Sequence, residues 1–257
     1  TLSSSSAASD VYKRQRQFDD CVARILRALR EHHLDQRTVI VITADHGDDL
    51  YEPGATMGHG LSFNGGDQTN HIPWLMYLPG RDGGQWQETV RSIDIAPTLL
   101  DFLKLPVPPQ WEGRSVMPWV DGREQARSRP FYGETGFPFI QFRVDGVERP
   151  HLPPMDHMTR IDPSFDYQFV LRPEYEKKVI DAKERVLRSE KWKLIATPTA
   201  VGTRHYRLFD LSRDVHCEHN VWGLYPAVAA ALQRALDRWI DQGVETSLQE
   251  IFPQGEP

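Results

Sequence analysis

Residues 38–79 read TVIVITADHGDDLYEPGATMGHGLSFNGGDQTNHIPWLMYLP, and the fold follows from how this stretch is parsed. Five β-favouring residues, Val39 to Thr43, run directly into Ala44-Asp45-His46-Gly47. A short apolar run that ends in a polar, glycine-containing turn predicts a buried parallel strand. In open α/β sheets ligands bind just beyond the carboxyl ends of strands, so Asp45 and His46 stand where chemistry is expected. Aspartate offers a hard anionic oxygen and histidine a neutral imidazole nitrogen, both common ligands of divalent metals. His59 follows between Gly58 and Gly60, residues that let backbone approach a ligand closely. A second apolar strand, residues 72–78, then leads to Pro79-Gly80. An Asp-His pair at a strand end can also serve only to cap the next helix, with Asp45 accepting from backbone N–H groups. Spacing alone leaves both readings open.

Working outward toward the amino terminus, Phe18, Val22, Ile25, Leu26 and Leu29 recur on one face of a helix. Asp19 and Asp20 stand at its start and Arg24, Arg27 and Arg30 follow, the charge order that a helix dipole favours. His32 and His33 close it; adjacent residues on a helix point in different directions, so they make a poor metal pair. Residues 34–37 form a short turn before the strand. A helix, a turn and a strand make half of a βαβ crossover whose partner strand lies upstream. Residues 1–15, TLSSSSAASDVYKRQ, show no apolar period and lack the apolar core of a signal peptide. They resemble an adapter fused to the chain and are read as a non-native or disordered tail.

The loop 48–69 is long and glycine-rich, with acids at Asp48, Asp49, Glu52 and Asp67. A loop of more than roughly 12–15 residues joining two core strands is expected to line a site. Asp48 and Asp49 can orient His46 or simply form a solvated turn, the reading preferred here. His71 reads as a hydrogen-bonded structural histidine.

Farther on, residues 81–87 are a polar surface loop, and residues 90–103 form a strand that turns into a helix at Asp94-Ile95-Ala96-Pro97-Thr98. Asp94 can cap that helix and Pro97 sits in its first turn, where a missing N–H costs nothing. Residues 127–173 are rich in proline and aromatic side chains with little periodicity, although 131–135 can be a strand returning to the sheet. His151 and His157 are ordinary loop residues. Residues 191–196 read as a strand with alternating charged and apolar faces, 206–211 as its antiparallel neighbour, and 227–242 as an amphipathic final helix. His216, Cys217 and His219 crowd within four residues and lack a fourth ligand, which argues against a zinc site.

Composition bounds these readings. A chain of 257 residues can bury a sizeable core as one large or two modest domains. The formal net charge of −6 offers no electrostatic footprint for nucleic acid or an anionic membrane surface. No stretch approaches the roughly 20 apolar residues needed for a transmembrane helix. The two cysteines, Cys21 and Cys217, are far apart and outside any CxxC spacing, so unpaired thiols are expected.

Taken together, Thr43-Ala44-Asp45-His46-Gly47-Asp48-Asp49, Gly58-His59-Gly60 and His71-Ile72-Pro73-Trp74-Leu75 resemble the sulfatase family, within the alkaline-phosphatase-like superfamily of metal-dependent ester hydrolases. The Asp-Ile-Ala-Pro-Thr turn, the Gly113-Arg114-Ser115 turn and a closing segment over 191–221 are similar to that family too, with Val215 where its pattern has proline. The resemblance implies that Asp45 and His46 bind the catalytic metal and that His59 faces the sulfate or phosphate group. It implies an alkaline-phosphatase-like α/β sheet with flanking helices, incomplete because it matches only the C-terminal half of the family pattern, plus a small C-terminal α+β subdomain. The expected division is a tail (1–15), part of the catalytic domain (16–126), an irregular insertion (127–180) and the α+β subdomain (181–257).

The resemblance also implies a divalent cation, calcium first, with manganese or zinc as alternatives because calcium ordinarily takes oxygen ligands. A formylglycine nucleophile belongs to the family's Cys/Ser-x-Pro/Ala-x-Arg motif. Cys21 is followed by Val22-Ala23-Arg24-Ile25 and does not carry it. The expected activity of the complete parent is hydrolysis of a small-molecule or glycan sulfate ester. Alternatives are a phosphodiesterase, phosphonate hydrolase or phosphotransferase of the same superfamily, or a chain that is non-catalytic by itself. A periplasmic or extracellular location fits such an enzyme, but the sequence does not select one.

Overall fold

The computed structural model describes residues 4–51, 58–60 and 62–257, with side chains from residue 13 onward. In chain order the elements are α1 (Ser4–Glu31), β1 (Ile40–Thr43), β2 (Trp74–Tyr77), α2 (Ile95–Phe102), α3 (Met117–Val120), β3 (Phe131–Glu134), α4 (Met155–Met158), β4 (Thr159–Asp162), β5 (Gln168–Leu171), α5 (Pro173–Ala182), β6 (Arg185–Arg188), β7 (Trp192–Pro198), β8 (Arg204–Asp210), α6 (Pro226–Gln242) and α7 (Leu248–Ile251). They divide into two compact units, residues 1–45 with 72–84, and residues 46–71 with 85–257. The expected boundaries near 127 and 181 do not coincide with this division.

The first unit contains α1, a 3-10 turn at Asp35–Arg37, and the β1–β2 pair. The helix is longer than its apolar stripe alone indicates and runs through residues 4–15, where a tail was expected. No glycine or proline interrupts residues 1–31, and once nucleated a helix gains one hydrogen bond for each residue added. β1 pairs antiparallel with β2, Ile40 opposite Tyr77 and Thr43 opposite Trp74. The expected parallel, buried strand is therefore corrected. Among the described residues β1 has an antiparallel neighbour, and its residues are half-buried to exposed. A run of Val and Ile specifies a strand, but its direction relative to a neighbour is decided by the partner.

The second unit is built on an antiparallel sheet in the order β3-β6-β7-β8. Along β7 every residue is buried, because both faces are covered. Trp192, Leu194 and Ala196, with Leu208 of β8, pack with Val228, Ala229, Leu232, Ala235 and Leu236 of α6. Burying each such leucine stabilises the fold by about 1.5–3 kcal/mol before entropy is counted. α6 starts with Pro226 at its first turn and ends at Gly243, whose φ of 68° is the left-handed conformation that closes a helix. On the other face Val186, Ile195, Phe209 and Cys217 receive Phe63 from the long loop. Lys193 is also on that face and is 1% exposed, so the charged side of the expected alternation lies inside the fold.

The tract read as an irregular insertion is more ordered than its composition implies. β3 joins the main sheet beside β6, β4 and β5 form an antiparallel hairpin, and α5 leads into β6. Short strands such as these carry too few residues to show a period. Asp94 is fully buried, and Arg91 and Arg129 pair with it at 3.2 and 3.0 Å while the N–H of Arg114 donates to it at 2.8 Å. Its role is structural, as expected, but it works by tying three segments together rather than by capping α2. Both cysteines are free thiols, Cys21 exposed and Cys217 buried. No described helix is long and apolar enough to cross a membrane.

Candidate metal and catalytic site

The site begins where β1 ends. Ala44 and Asp45 end the first segment of the first unit, which resumes at Ile72, and His46 opens the second unit. Gly47 follows, with its N–H donating to the carbonyl of Thr69 at 3.0 Å. A Cβ at Gly47 would lie 1.9 Å from the carbonyl oxygen of Gln68, so only glycine permits this approach. Asp49 and Gly58 then exchange backbone hydrogen bonds of 2.8 and 3.1 Å. This isolated antiparallel bridge places Asp48 across from His59. Gly58 and Gly60 have φ of 144° and 67°, which a side chain would strain. The Gly-His-Gly motif is thus needed to turn His59 back toward the residues that follow β1. Residues 52–57 and 61 of the loop lie outside the described residues.

The outcome is a cluster of His46, Asp48 and His59, whose potential ligand atoms all lie within 4.8 Å of one another. The two imidazoles stack with centroids 3.8 Å apart and planes 18° from parallel. Nδ1 of His59 lies 3.0 Å from a carboxylate oxygen of Asp48. Nδ1 of His46 lies 2.8 Å from the carbonyl of Gly47, where it donates, making Nε2 the lone-pair nitrogen. All three residues are exposed.

Of the residues singled out from the sequence, His46 and His59 are brought into contact. Asp45 belongs to the other compact unit, where it follows β1. The carboxylate in the cluster is Asp48, which the preferred sequence reading placed in a solvated turn and the other placed beside His46. Its partner is His59. The Asp49–Gly58 bridge makes this pairing, and nothing in the local sequence marks those two residues as neighbours.

Two imidazoles and a carboxylate suit a divalent cation. Ligands of zinc sit about 2.0–2.2 Å from the ion, so two of them are at most about 4.4 Å apart. The ligand atoms of the cluster lie within 4.8 Å of one another, close to that spacing. Imidazole nitrogen is a better ligand for zinc or manganese than for calcium, which takes oxygen.

Beneath the cluster the loop is tied to the four-stranded sheet. The N–H of Gly136 donates to the carbonyl of Gly60 at 3.1 Å, one residue past His59. The N–H of Phe63 donates to Glu184 at 3.3 Å. Lys193 donates to the carbonyls of Gly65 and Gly66, and it pairs with Asp67, as does Arg188. Burial pushes the Asp67 carboxyl up, but Lys193 and Arg188 outweigh it and hold the group below the ordinary carboxylate range. Sequence reading did not assign Lys193, Arg188 or Glu184 to the site. The available signal was a lysine on a strand whose neighbouring positions, Trp192, Leu194 and Ile195, are apolar.

The sulfatase family pattern matches residues 7–105. Arylsulfatase K of Bos taurus is 25% identical over 219 residues, 85% of this chain and 34% of the relative. Among solved structures, the phosphonate monoester hydrolase of Silicibacter pomeroyi superposes with a TM-score of 0.63 at 23% identity, over 90% of this chain and 40% of that one. A sulfatase structure from Bacteroides thetaiotaomicron, described as putative, gives a TM-score of 0.60 at 19% identity, covering 92% and 43% of the two chains. These structural likenesses establish the mixed α/β fold that the sequence resemblance implied. The chain spans about a third of the length of the curated relative it matches.

Proposed function

We propose that this chain, which belongs to the sulfatase family by its match over residues 7–105, carries the Asp-His part of a metal-dependent site that hydrolyses sulfate esters. The observation that carries this reading is the convergence of His46, Asp48 and His59 within 4.8 Å. His46 presents Nε2 as a ligand because its Nδ1–H is engaged by the Gly47 carbonyl. The family resemblance implies a ligating carboxylate at Asp45, the residue before His46 in the sequence. Asp48 uses one oxygen to hold His59 and has a second to offer the ion. The family resemblance favours calcium, whereas the two imidazoles favour manganese or zinc.

A divalent cation bound here supplies Lewis acidity that offsets charge on the ester oxygens. His59, stacked on His46, is within reach of a group held beside the ion. Asp48 accepts from Nδ1 of His59, which leaves Nε2 as the ring nitrogen turned toward the ester group. The substrate class is a sulfate ester of a small molecule or a glycan.

Calorimetric titration with Mn²⁺, Zn²⁺ and Ca²⁺, repeated on H46A and D45N, tests the cation site. One saturable site, weakened in both variants, is the expected result. Absence of saturable binding, or binding indifferent to both substitutions, would overturn it. Competition between an aryl sulfate and an aryl phosphonate monoester for the loaded chain reads the substrate class. Preference for the phosphonate replaces the sulfatase reading with a phosphonate hydrolase one.

A further inference from the structure

Lys193 is a charged residue that the fold takes almost completely out of water, at 1% exposure in the second position of β7. An ammonium has three N–H donors and no acceptor. Here it meets three acceptors, the carbonyls of Gly65 and Gly66 at 3.2 and 2.7 Å and a carboxylate oxygen of Asp67 at 3.3 Å. All three belong to consecutive residues of the loop that carries His59. Asp67 is held in turn by Nε of Arg188 at 2.9 Å, and Arg188 also reaches the Thr89 hydroxyl at 3.3 Å. Phe63, 6% exposed, fills the apolar part of the same sheet face.

Stability alone does not require this arrangement. A buried ion pair gains little over well-packed apolar residues, because desolvation offsets the attraction. What the ion pair adds is direction. An apolar residue at position 193 could fill the volume but would leave two loop carbonyls without donors and would not select one path for residues 65–67. Gly58, Gly60, Gly65 and Gly66 leave the loop backbone free to take many conformations, so its path depends on such ties, which also include the Gly136–Gly60 hydrogen bond and the buried Phe63.

We infer that Lys193, acting with Asp67, is a positioning residue that sets where His59 stands relative to His46. It rests on the reading of the His46, Asp48 and His59 cluster given above. Lys193 touches neither ligand nor substrate in this role. It fixes the distal limb of the loop, the Asp49–Gly58 bridge fixes the proximal limb, and His59 lies between them.

The test compares wild type with K193M by amide hydrogen exchange and by ¹⁵N shifts of the histidine rings, which separate the two tautomers, with Mn²⁺ affinity as a third readout. The expected result is exchange about tenfold faster at residues 58–67 with little change in β7 and β8. His59 should lose its single tautomer signature, and Mn²⁺ should bind about tenfold more weakly. Equal acceleration in the loop and the strands would mark Lys193 as merely structural and overturn the inference. An unchanged His59 signature would also overturn it. Should K193M fail to fold, D67N carries the same readouts: a smaller shift in the same direction supports the inference, and no shift overturns it. If the wild type binds no Mn²⁺, the cation reading fails by itself, while exchange and ring shifts still decide the role of Lys193.

Discussion

Nδ1 of His59 stands 3.0 Å from Oδ1 of Asp48, a residue 11 positions earlier in the chain. The carboxylate sets which nitrogen of the ring faces outward, and it does so on a loop whose glycines would otherwise let the ring turn freely. The pair thus links a local backbone bridge to the chemistry available at the cluster.

Replacing Asp48 by asparagine keeps the shape of the side chain and removes the charge that holds His59. Partners that orient a metal-site histidine are worth roughly 10–100-fold in affinity. D48N is expected to weaken Mn²⁺ binding by about that factor, with the thermal midpoint nearly unchanged because Asp48 is exposed. Paramagnetic titration of the two proteins checks it.

Glu184 is 1% exposed and accepts from Arg149, Thr197 and the N–H of Phe63, with Arg207 at 3.8 Å. Burial pulls the Arg149 and Arg207 guanidiniums below their ordinary value, with Glu184 opposing that pull. E184Q leaves two half-buried guanidiniums without the Glu184 charge. A loss of about 3–5 kcal/mol in unfolding free energy is expected, measured by urea denaturation.

Acid should loosen the loop through Asp67. Its carboxyl is lowered from the ordinary value of 3.8 in the folded chain, so the unfolded chain takes up the proton first as pH falls. The stabilisation is fully present above the unfolded value and is lost as pH falls through the folded one. Denaturation of wild type and D67N at pH 6 and pH 3 should therefore give curves that converge at the acid end. A constant gap would show that the lowered carboxyl contributes nothing.

Thiol labelling separates the cysteines. Cys21 is exposed, whereas Cys217 is 7% exposed and burial pushes its thiol up to about 11. At neutral pH one thiol per folded chain is expected to react quickly with a maleimide, and the second only after denaturant is added.

Substituting Gly47 by alanine forces a Cβ to within 1.9 Å of the Gln68 carbonyl. The backbone must move, at a cost of about 1–3 kcal/mol, and His46 moves with it. A calorimetric loss of cation affinity larger than the loss of stability is the expected pattern.

Several features were legible because their causes are local. The apolar stripe of α1, the β-branched run of β1, the periodicity of α6, and the glycines around His59 each declare a backbone preference that neighbours do not overturn. The strand order around β7 was partly legible from the alternation at 191–196, although both faces proved buried. The β4–β5 hairpin was not, since four-residue strands among prolines show no period.

The sequence by itself determined the strand β1, the candidate pair Asp45-His46 that follows it and the glycines that flank His59. Only tertiary structure decided that β2 runs antiparallel to β1, that Asp48 is the carboxylate holding His59, and that Lys193 is buried against the loop. The reason is physical. Residue type and spacing set the preferences of each segment, but direction, pairing and burial are properties of contacts between segments far apart in the chain.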